Sequence, residues 1–252
     1  MIYITGDCHG DFKRFNKKNF PEQLEMAKDD FVIICGDFGG VWNKDCESKH
    51  EKVQLDWLDS QPFTTLFVSG NHENYDRLFS DEYPIVDWHG GKAQKIRENV
   101  IHLMRGEVYT ILGKKFWTFG GASSHDIKDG ILDPETDKTK IKVWSKAVDC
   151  SKQFRINHRS WWEQEIASPE EMQHGLANLV KHNDNVDFII THCAPQMIAS
   201  MLGYREPDDM TMFFNTIMNT VQFKNWFFGH YHRDERIMSK FYCLYDDILQ
   251  IA

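Results

Sequence analysis

Short apolar runs alternate with longer polar stretches along most of this chain. "IYIT" at 2–5, "FVIIC" at 31–35 and "TTLFVSG" at 64–70 are too short for helices, rich in β-branched and aromatic residues, and followed or ended by glycine, which predicts buried strands. The polar stretch around Phe12 to Lys28 reads as a helix between the first two. "ESKHEKVQLDWLDS" reads as a second helix, with Val53, Leu55, Trp57 and Leu58 as its apolar positions. This alternation predicts a βαβ beginning.

The middle of the chain changes character. "KAQKI", "VIHLMRGEVYTIL" and "KKFWTFGGASS" read as strands, with Gly113-Lys114 as a hairpin turn. From about Asp126 to Ser160 the pattern loses its period and fills with Lys and Asp, which predicts an insertion or cap over the core at about 126–165. "SPEEMQHGLANLVKH" predicts a helix with Ser168 as N-cap, Pro169 at its first position, Glu171 closing a capping box, and Met172, Leu176, Leu179 and Val180 on one face. "DFIITHCAP" predicts another strand. A helix carrying Met210, Phe213, Phe214, Ile217 and Val221 leads into "WFFGHYH", and "KFYCLYDDILQIA" predicts a closing hairpin. No internal repeat or low-complexity tract interrupts the series.

Composition narrows the field. A chain of 252 residues, 41% of them hydrophobic, can bury one sizeable core, so a single domain over 1–252 is expected. The formal charge of −9 opposes binding to duplex nucleic acid, whose affinity rests on neutralised phosphates. It leaves room for a small phosphorylated substrate whose charge is offset locally. No targeting segment and no run long enough to span a membrane is legible, which predicts a cytoplasmic protein with no membrane partner. Cys8, Cys35, Cys46, Cys150, Cys193 and Cys243 form no C-x-x-C pair and suit reduced thiols, with Cys8 and Cys193 as small fillers.

The chemistry lies where the strands end. "IYIT" runs into GDCHG, "FVIIC" into GDFGG, "TTLFVS" into GNHE, "DFIIT" into HCAP and "NWFF" into GHYH. A lone D-x-H between glycines is an ordinary turn. Five apolar strands in succession that end in metal-competent side chains are not, because carboxyl ends of neighbouring strands converge at the edge where open α/β sheets place their sites. The set is Asp7 and His9, Asp37, Asn71 and His72, His192, and His230 and His232. Imidazoles and carboxylates with one carboxamide favour a borderline-hard divalent ion such as Mn²⁺, Fe or Zn²⁺. Eight such side chains are too many for one tetrahedral ion, and two ions sharing Asp37 account for seven of them, all but His72. His50, His89, His102, His174 and His182 fall outside the pattern and read as surface or half-buried residues.

The ordered motifs D-x-H, G-D, G-N-H-[DE], a lone His and G-H-x-H resemble those of the calcineurin-like metallophosphoesterases, and they extend from residue 7 to 232. The resemblance implies an α/β fold, a four-layer α/β/β/α sandwich whose second sheet is built largely from the middle hairpins and the C-terminal strands. It also implies that Asp7, His9 and His232 hold one metal, that Asn71, His192 and His230 hold the other, and that Asp37 bridges. Ions about 3.5 to 4 Å apart can share a water, lower its pKa and aim the resulting hydroxide in line at phosphorus. His72 would bind no metal and would instead steady the transition state or protonate the leaving oxygen, leaving Asp37, Asn71 and His72 as the catalytic set.

Substrate contacts are expected elsewhere. In "FRINHRSWWEQE", Arg155, His158 and Arg159 offer phosphate-binding donors and Trp161 or Trp162 a stacking surface, while buried tryptophans and paired arginines explain the same residues equally well. In "GGASSHD", His125 or Asp126 are candidate pocket residues, and a turn explains them too. Ser/Thr protein phosphatases of this family carry G-D-x-x-D-R-G at the second motif; here "GDFGGVW" places Gly40 at that Asp and omits the Arg. Protein phosphatase activity is therefore disfavoured, and Glu73 or Asp76 stand as alternative supports for His72. A non-catalytic scaffold would show eroded ligands, and none is eroded. The expected activity is metal-dependent hydrolysis of a small phosphomonoester or phosphodiester.

Overall fold

The computed structural model describes residues 1–146 and 151–252. In chain order its elements are β1 (Ile2–Thr5), β2 (Phe31–Ile34), α1 (Lys49–Asp59), β3 (Thr64–Phe67), α2 (Tyr75–Leu78), β4 (Ile85–Trp88), β5 (Gly91–Arg97), β6 (Val100–Leu103), β7 (Glu107–Ile111), β8 (Lys114–Phe119), β9 (Gly130–Leu132), α3 (Lys138–Trp144) and β10 (Phe154–Ile156). They continue with α4 (Pro169–Lys181), β11 (Phe188–Thr191), α5 (Gln196–Met201), α6 (Asp209–Thr220), β12 (Asn225–Phe228), β13 (Glu235–Ile237), β14 (Phe241–Cys243) and β15 (Ile248–Gln250).

Among the described residues one seven-stranded sheet runs β15-β1-β2-β3-β6-β5-β4 and one six-stranded sheet β13-β14-β12-β11-β8-β7. The period-2 alternation of the apolar runs makes them stack. Ile2, Ile4, Ile33 and Leu66 turn inward against Tyr109, Phe116, Ile190 and Phe227 of the facing sheet. Tyr3, Val32, Ile34 and Phe67 turn outward onto Phe12, Phe15, Leu55 and Leu58. The second sheet's outer face packs Trp117, Ile189, Trp226 and Phe228 on Leu179, Ile198, Phe214 and Ile217 of α4 to α6. The result is the expected four-layer α/β/β/α sandwich.

Several elements depart from their sequence reading. The stretch Phe12 to Lys28 is no α-helix; it holds short 3₁₀ turns at Lys13–Phe15 and Pro21–Glu25. Asn16 Nδ2 bonds the Lys13 carbonyl at 2.6 Å, and Pro21 has no N–H with which to continue a helix. The β7–β8 hairpin turns on Leu112-Gly113, both at positive φ (48° and 74°), rather than on Gly113-Lys114. β4, β5 and β6 join the first sheet rather than the second.

On α4 the capping box from Ser168 to Glu171 forms as predicted. Its buried face, however, is Gly175, Asn178 and Leu179, while Val180 is 64% exposed and Leu176 39%. Asn178 donates to the Gly106 carbonyl at 2.8 Å, a backbone contact that hydrophobic periodicity does not encode. β14 and β15 do not form the expected closing hairpin; β14 pairs antiparallel with β13 instead. β14 lies parallel to β12, whereas β15 crosses to the other sheet and pairs antiparallel with β1. The crossing is pinned by Asp234, whose carboxylate accepts the N–H groups of Tyr245, Asp246 and Asp247.

Of the expected cap at about 126–165, the parallel pair β9–β10 stands apart from both sheets and α3 buries none of its side chains. Residues 147–150, and with them Cys150, lie outside the described residues. Cys8, Cys35, Cys193 and Cys243 are buried free thiols and Cys46 an exposed one. No helix among the described residues is long and apolar enough to cross a membrane.

Candidate metal centre

β1, β2 and β3 run parallel in one sheet, and β8, β11 and β12 run parallel in the other, so the motif-bearing loops leave from one edge of the sandwich. Backbone bonds stitch them together: Cys8 and His9 donate to the Asp37 carbonyl, Gly121 to that of Ser69, and Gly229 to that of His192. The motif glycines allow this closeness. A Cβ on Gly70 would collide with Asp37 Oδ1, one on Gly229 with Asp7 Oδ1, and one on Gly36 with the His192 ring. His9, Asp37, His230 and His232 hold positive φ values of 48°, 44°, 68° and 51°, local strain that the surrounding bonds sustain.

Asp7, His9, Asp37 and His232 bring one candidate ligand atom each to within 4.8 Å of one another. His232 Nε2 lies 3.1 Å from Asp7 Oδ2 and 3.1 Å from His9 Nε2. Asp37 faces both ligand sets: its Oδ2 lies 3.7 Å from His9 Nε2 and its Oδ1 3.2 Å from His192 Nε2. His192 is oriented by Nδ1, 2.8 Å from the Cys35 carbonyl, so Nε2 turns to Asp37 and to Asn71 Oδ1 at 3.1 Å. His230 packs its ring on that of His192, centroids 5.0 Å apart, while its backbone N–H meets the Asp7 carboxylate at 3.0 Å.

These residues fit a cation. The Asp7 and Asp37 side chains are 0% and 2% exposed, and they face imidazoles rather than Lys or Arg. Ligand-competent ring nitrogens converge on one another, as in the pair His9 Nε2 and His232 Nε2. Burial alone would raise the Asp37 pKa, but His192 overrides it and holds the carboxyl well below the usual range. Burial likewise opposes charge on His192, and Asp37 reverses this, pushing its pKa up to about 9. His230, buried and next to His192, is driven well below its ordinary value. A dense set of oxygen and imidazole donors around two buried carboxylates is what Mn²⁺, Fe or Zn²⁺ would use.

The remaining expected residues divide. His72 lies at the edge of the cluster, its ring against His9 and Trp42, and its backbone N–H on Asp37 Oδ1 at 2.8 Å. Arg155 reaches it: Nη2 stands 3.1 Å from His72 Nε2, and Nε bonds Asp126 at 2.8 Å. His125 also arrives, its Nε2 2.7 Å from that of His230. His158 instead pairs with Asp76 at 2.9 Å, and Arg159 is exposed on the same turn, its charge acting on Glu135. Neither is tied to the His72 edge. Trp162 is buried with Nε1 on Asp76 at 2.7 Å, so it packs rather than offering a face.

The acids proposed to support His72 are engaged elsewhere, Glu73 on the Phe38 N–H and Asp76 on His158 and Trp162. Gly40 cannot be an Asp here, since a Cβ would run into the Phe38 ring and approach Leu55. His102 is fully buried, against its sequence reading, with Nδ1 2.7 Å from Gln94 Oε1.

Three residues escaped the sequence reading. Trp42 walls a cleft of about 350 Å³ that opens beside His9 and His72 and is lined also by Gly40, His50 and Gln54. Ser124 contacts Asn71, and the buried Glu165 bonds Ser124. Burial pushes the Glu165 carboxyl up to about 7 against those two bonds. Trp42 follows the second motif directly and carried that much signal; Glu165 carried none.

A two-sheet sandwich with an Asp/His cluster at one edge defines a class, and comparison with known proteins agrees. Residues 1–234 match the family model of the calcineurin-like phosphoesterases, and the chain belongs to that family. Among curated relatives it is 25% identical over 173 residues to the lariat debranching enzyme of Danio rerio, a match covering 62% of this chain and 29% of that protein. It is 27% identical over 143 residues to lariat debranching enzyme A of Xenopus laevis, covering 51% and 25%. It is 33% identical over 94 residues to the lariat debranching enzyme of Arabidopsis thaliana, covering 32% and 22%. Each match spans less than a third of the relative's length.

Proposed function

We propose that this protein is a binuclear metal-dependent hydrolase of a small phosphomonoester or phosphodiester, acting by in-line attack of activated water on phosphorus. The observation that carries the reading is Asp37, a buried carboxylate with one oxygen toward His9 and the other toward His192. Asp7, His9 and His232 would hold one divalent ion, Asn71, His192 and His230 the other, and Asp37 would bridge; Mn²⁺ is favoured over Fe and Zn²⁺. Bound there, the ions would activate water and offset phosphoryl charge. Arg155, a permanent cation beside His72, would grip a phosphoryl oxygen, and His72 would steady or protonate the departing group. His125 would line the same pocket, and the cleft beside Trp42 gives the rest of the substrate a place. His158, paired with Asp76, and the exposed Arg159 would contact only the outer part of a substrate.

The overall charge of −9 and the open cleft support a small substrate over duplex nucleic acid. The missing Asp and Arg at Gly40 weigh against a phosphoprotein phosphatase. The relatives' names bring a lariat into the substrate panel. The test is hydrolysis of an aryl phosphate and a bis-aryl phosphate by Mn²⁺-loaded protein, beside a panel of nucleotides and a lariat substrate. Metal-replete protein inert toward every member would sink the proposal in favour of a non-catalytic scaffold.

A further inference from the structure

We infer that Glu165 is a positioning residue: acting through Ser124, it fixes which atom of the Asn71 carboxamide faces the metal cleft. The inference rests on the two-ion reading above. Asn71 leaves the end of β3, Ser124 the end of β8, and Glu165 the far end of the cap region, so three separate segments meet here. Ser124 donates twice to Glu165, from its backbone N–H to Oε1 at 2.8 Å and from its hydroxyl to Oε2 at 2.9 Å.

A serine hydroxyl has one proton. With Glu165 ionised that proton is committed to it, Oγ offers only lone pairs to Asn71, and it meets Nδ2 at 3.3 Å. The amide's other end, Oδ1, is thereby turned to His192 Nε2 at 3.1 Å. A carboxamide is nearly symmetrical in shape but opposite in polarity at its two ends. Rotated by half a turn, Asn71 would present N–H donors to a cation and would ligate nothing.

Glu165 is itself held firmly. Its side chain is 1% exposed, and its carbonyl, with those of Gln164 and Gly120, accepts from the buried Arg105 guanidinium. Burying a carboxylate is costly without donors, and the two from Ser124 offset part of that cost. The arrangement gives the cap region a second tie to the site, beside the Arg155–His72 contact.

Calorimetric titration of the metal-free full chain with Mn²⁺ tests this. Wild type should bind two ions. Ser124→Ala and Glu165→Ala should weaken one of them about 10- to 100-fold and spare the other. Glu165→Gln keeps a carbonyl oxygen for one Ser124 donor and should recover part of the loss. The deciding arm is Asn71→Asp, whose two equivalent oxygens need no orienting: in that background Ser124→Ala should cost nothing further.

If Ser124→Ala binds both ions as wild type does, or loses equal affinity in both backgrounds, the inference fails and Glu165 is only a loop staple. Should Glu165→Ala not fold, the Ser124→Ala pair of titrations still decides. A wild-type chain that takes up fewer than two ions overturns the reading beneath it and this inference with it.

Discussion

Arg155 Nη2 stands 3.1 Å from His72 Nε2, across 83 residues of sequence. A guanidinium can only donate, so Nε2 offers its lone pair and the ring's proton sits on Nδ1. A permanent cation thus occupies the place where the sequence led us to expect an acid. Burial first, and then Arg155, lowers the His72 pKa against the pull of Asp37.

Arg155→Ala should therefore reduce kcat/KM by about 100-fold or more, the cost of one well-placed donor to transition-state charge. Arg155→Lys should restore only part, since the fork that meets both Asp126 and His72 is lost. Bound metal should be unchanged by either. Steady-state kinetics beside metal analysis checks this, and metal loss in Arg155→Ala would make the residue a structural clamp instead.

His72→Ala should lower turnover by roughly 10² to 10⁴, the usual worth of a positioned acid or base, with both ions retained. Its side chain lies outside the set Asp7, His9, Asp37 and His232, which is why metal should stay. Undiminished turnover on an aryl phosphate would remove His72 from the mechanism.

Gly70→Ala and Gly229→Ala place a methyl group where Asp37 Oδ1 and Asp7 Oδ1 now lie. Each should cost about 1 to 3 kcal/mol of stability by overpacking and should strip metal from the purified protein. Thermal melts and elemental analysis read both effects. Wild-type metal content in either variant would show that the carboxylates can move aside.

His102 should make the fold acid-sensitive for a reason unrelated to metal. Burial, with help from Arg105, lowers its pKa to about 3 from an ordinary 6.5, so the neutral ring is the folded form. Its contribution is fully present above pH 6.5 and is lost as pH falls from there toward 3, by up to about 1.4 kcal/mol per pH unit. His102→Gln should flatten urea-derived stability over that window. An unchanged slope would mean that other groups dominate acid unfolding.

Most strands and the polar side chains at their ends were legible because each depends on a local signal, whereas the layer order came from the family resemblance. Apolar runs of four or five residues followed by Gly and a polar tip mark a strand and its exit, and Ser168 with Glu171 marks a helix start. Elements that depended on a distant partner were misread. β15 resembles the second arm of a hairpin but belongs beside β1, nearly the whole chain away. The buried face of α4 follows Gly106, a backbone contact with no apolar residue to announce it.

By itself the sequence determined which side chains stand at strand ends, because that is a matter of spacing along one backbone. Tertiary structure alone decided which of them touch. It brought Arg155 rather than an acid to His72, sent Asp76 to Trp162, and set Glu165 behind Ser124 and Asn71. A hydrogen bond across 41 or 83 residues depends on how the two sheets and the segment between β8 and α4 pack together, and no local pattern carries that information.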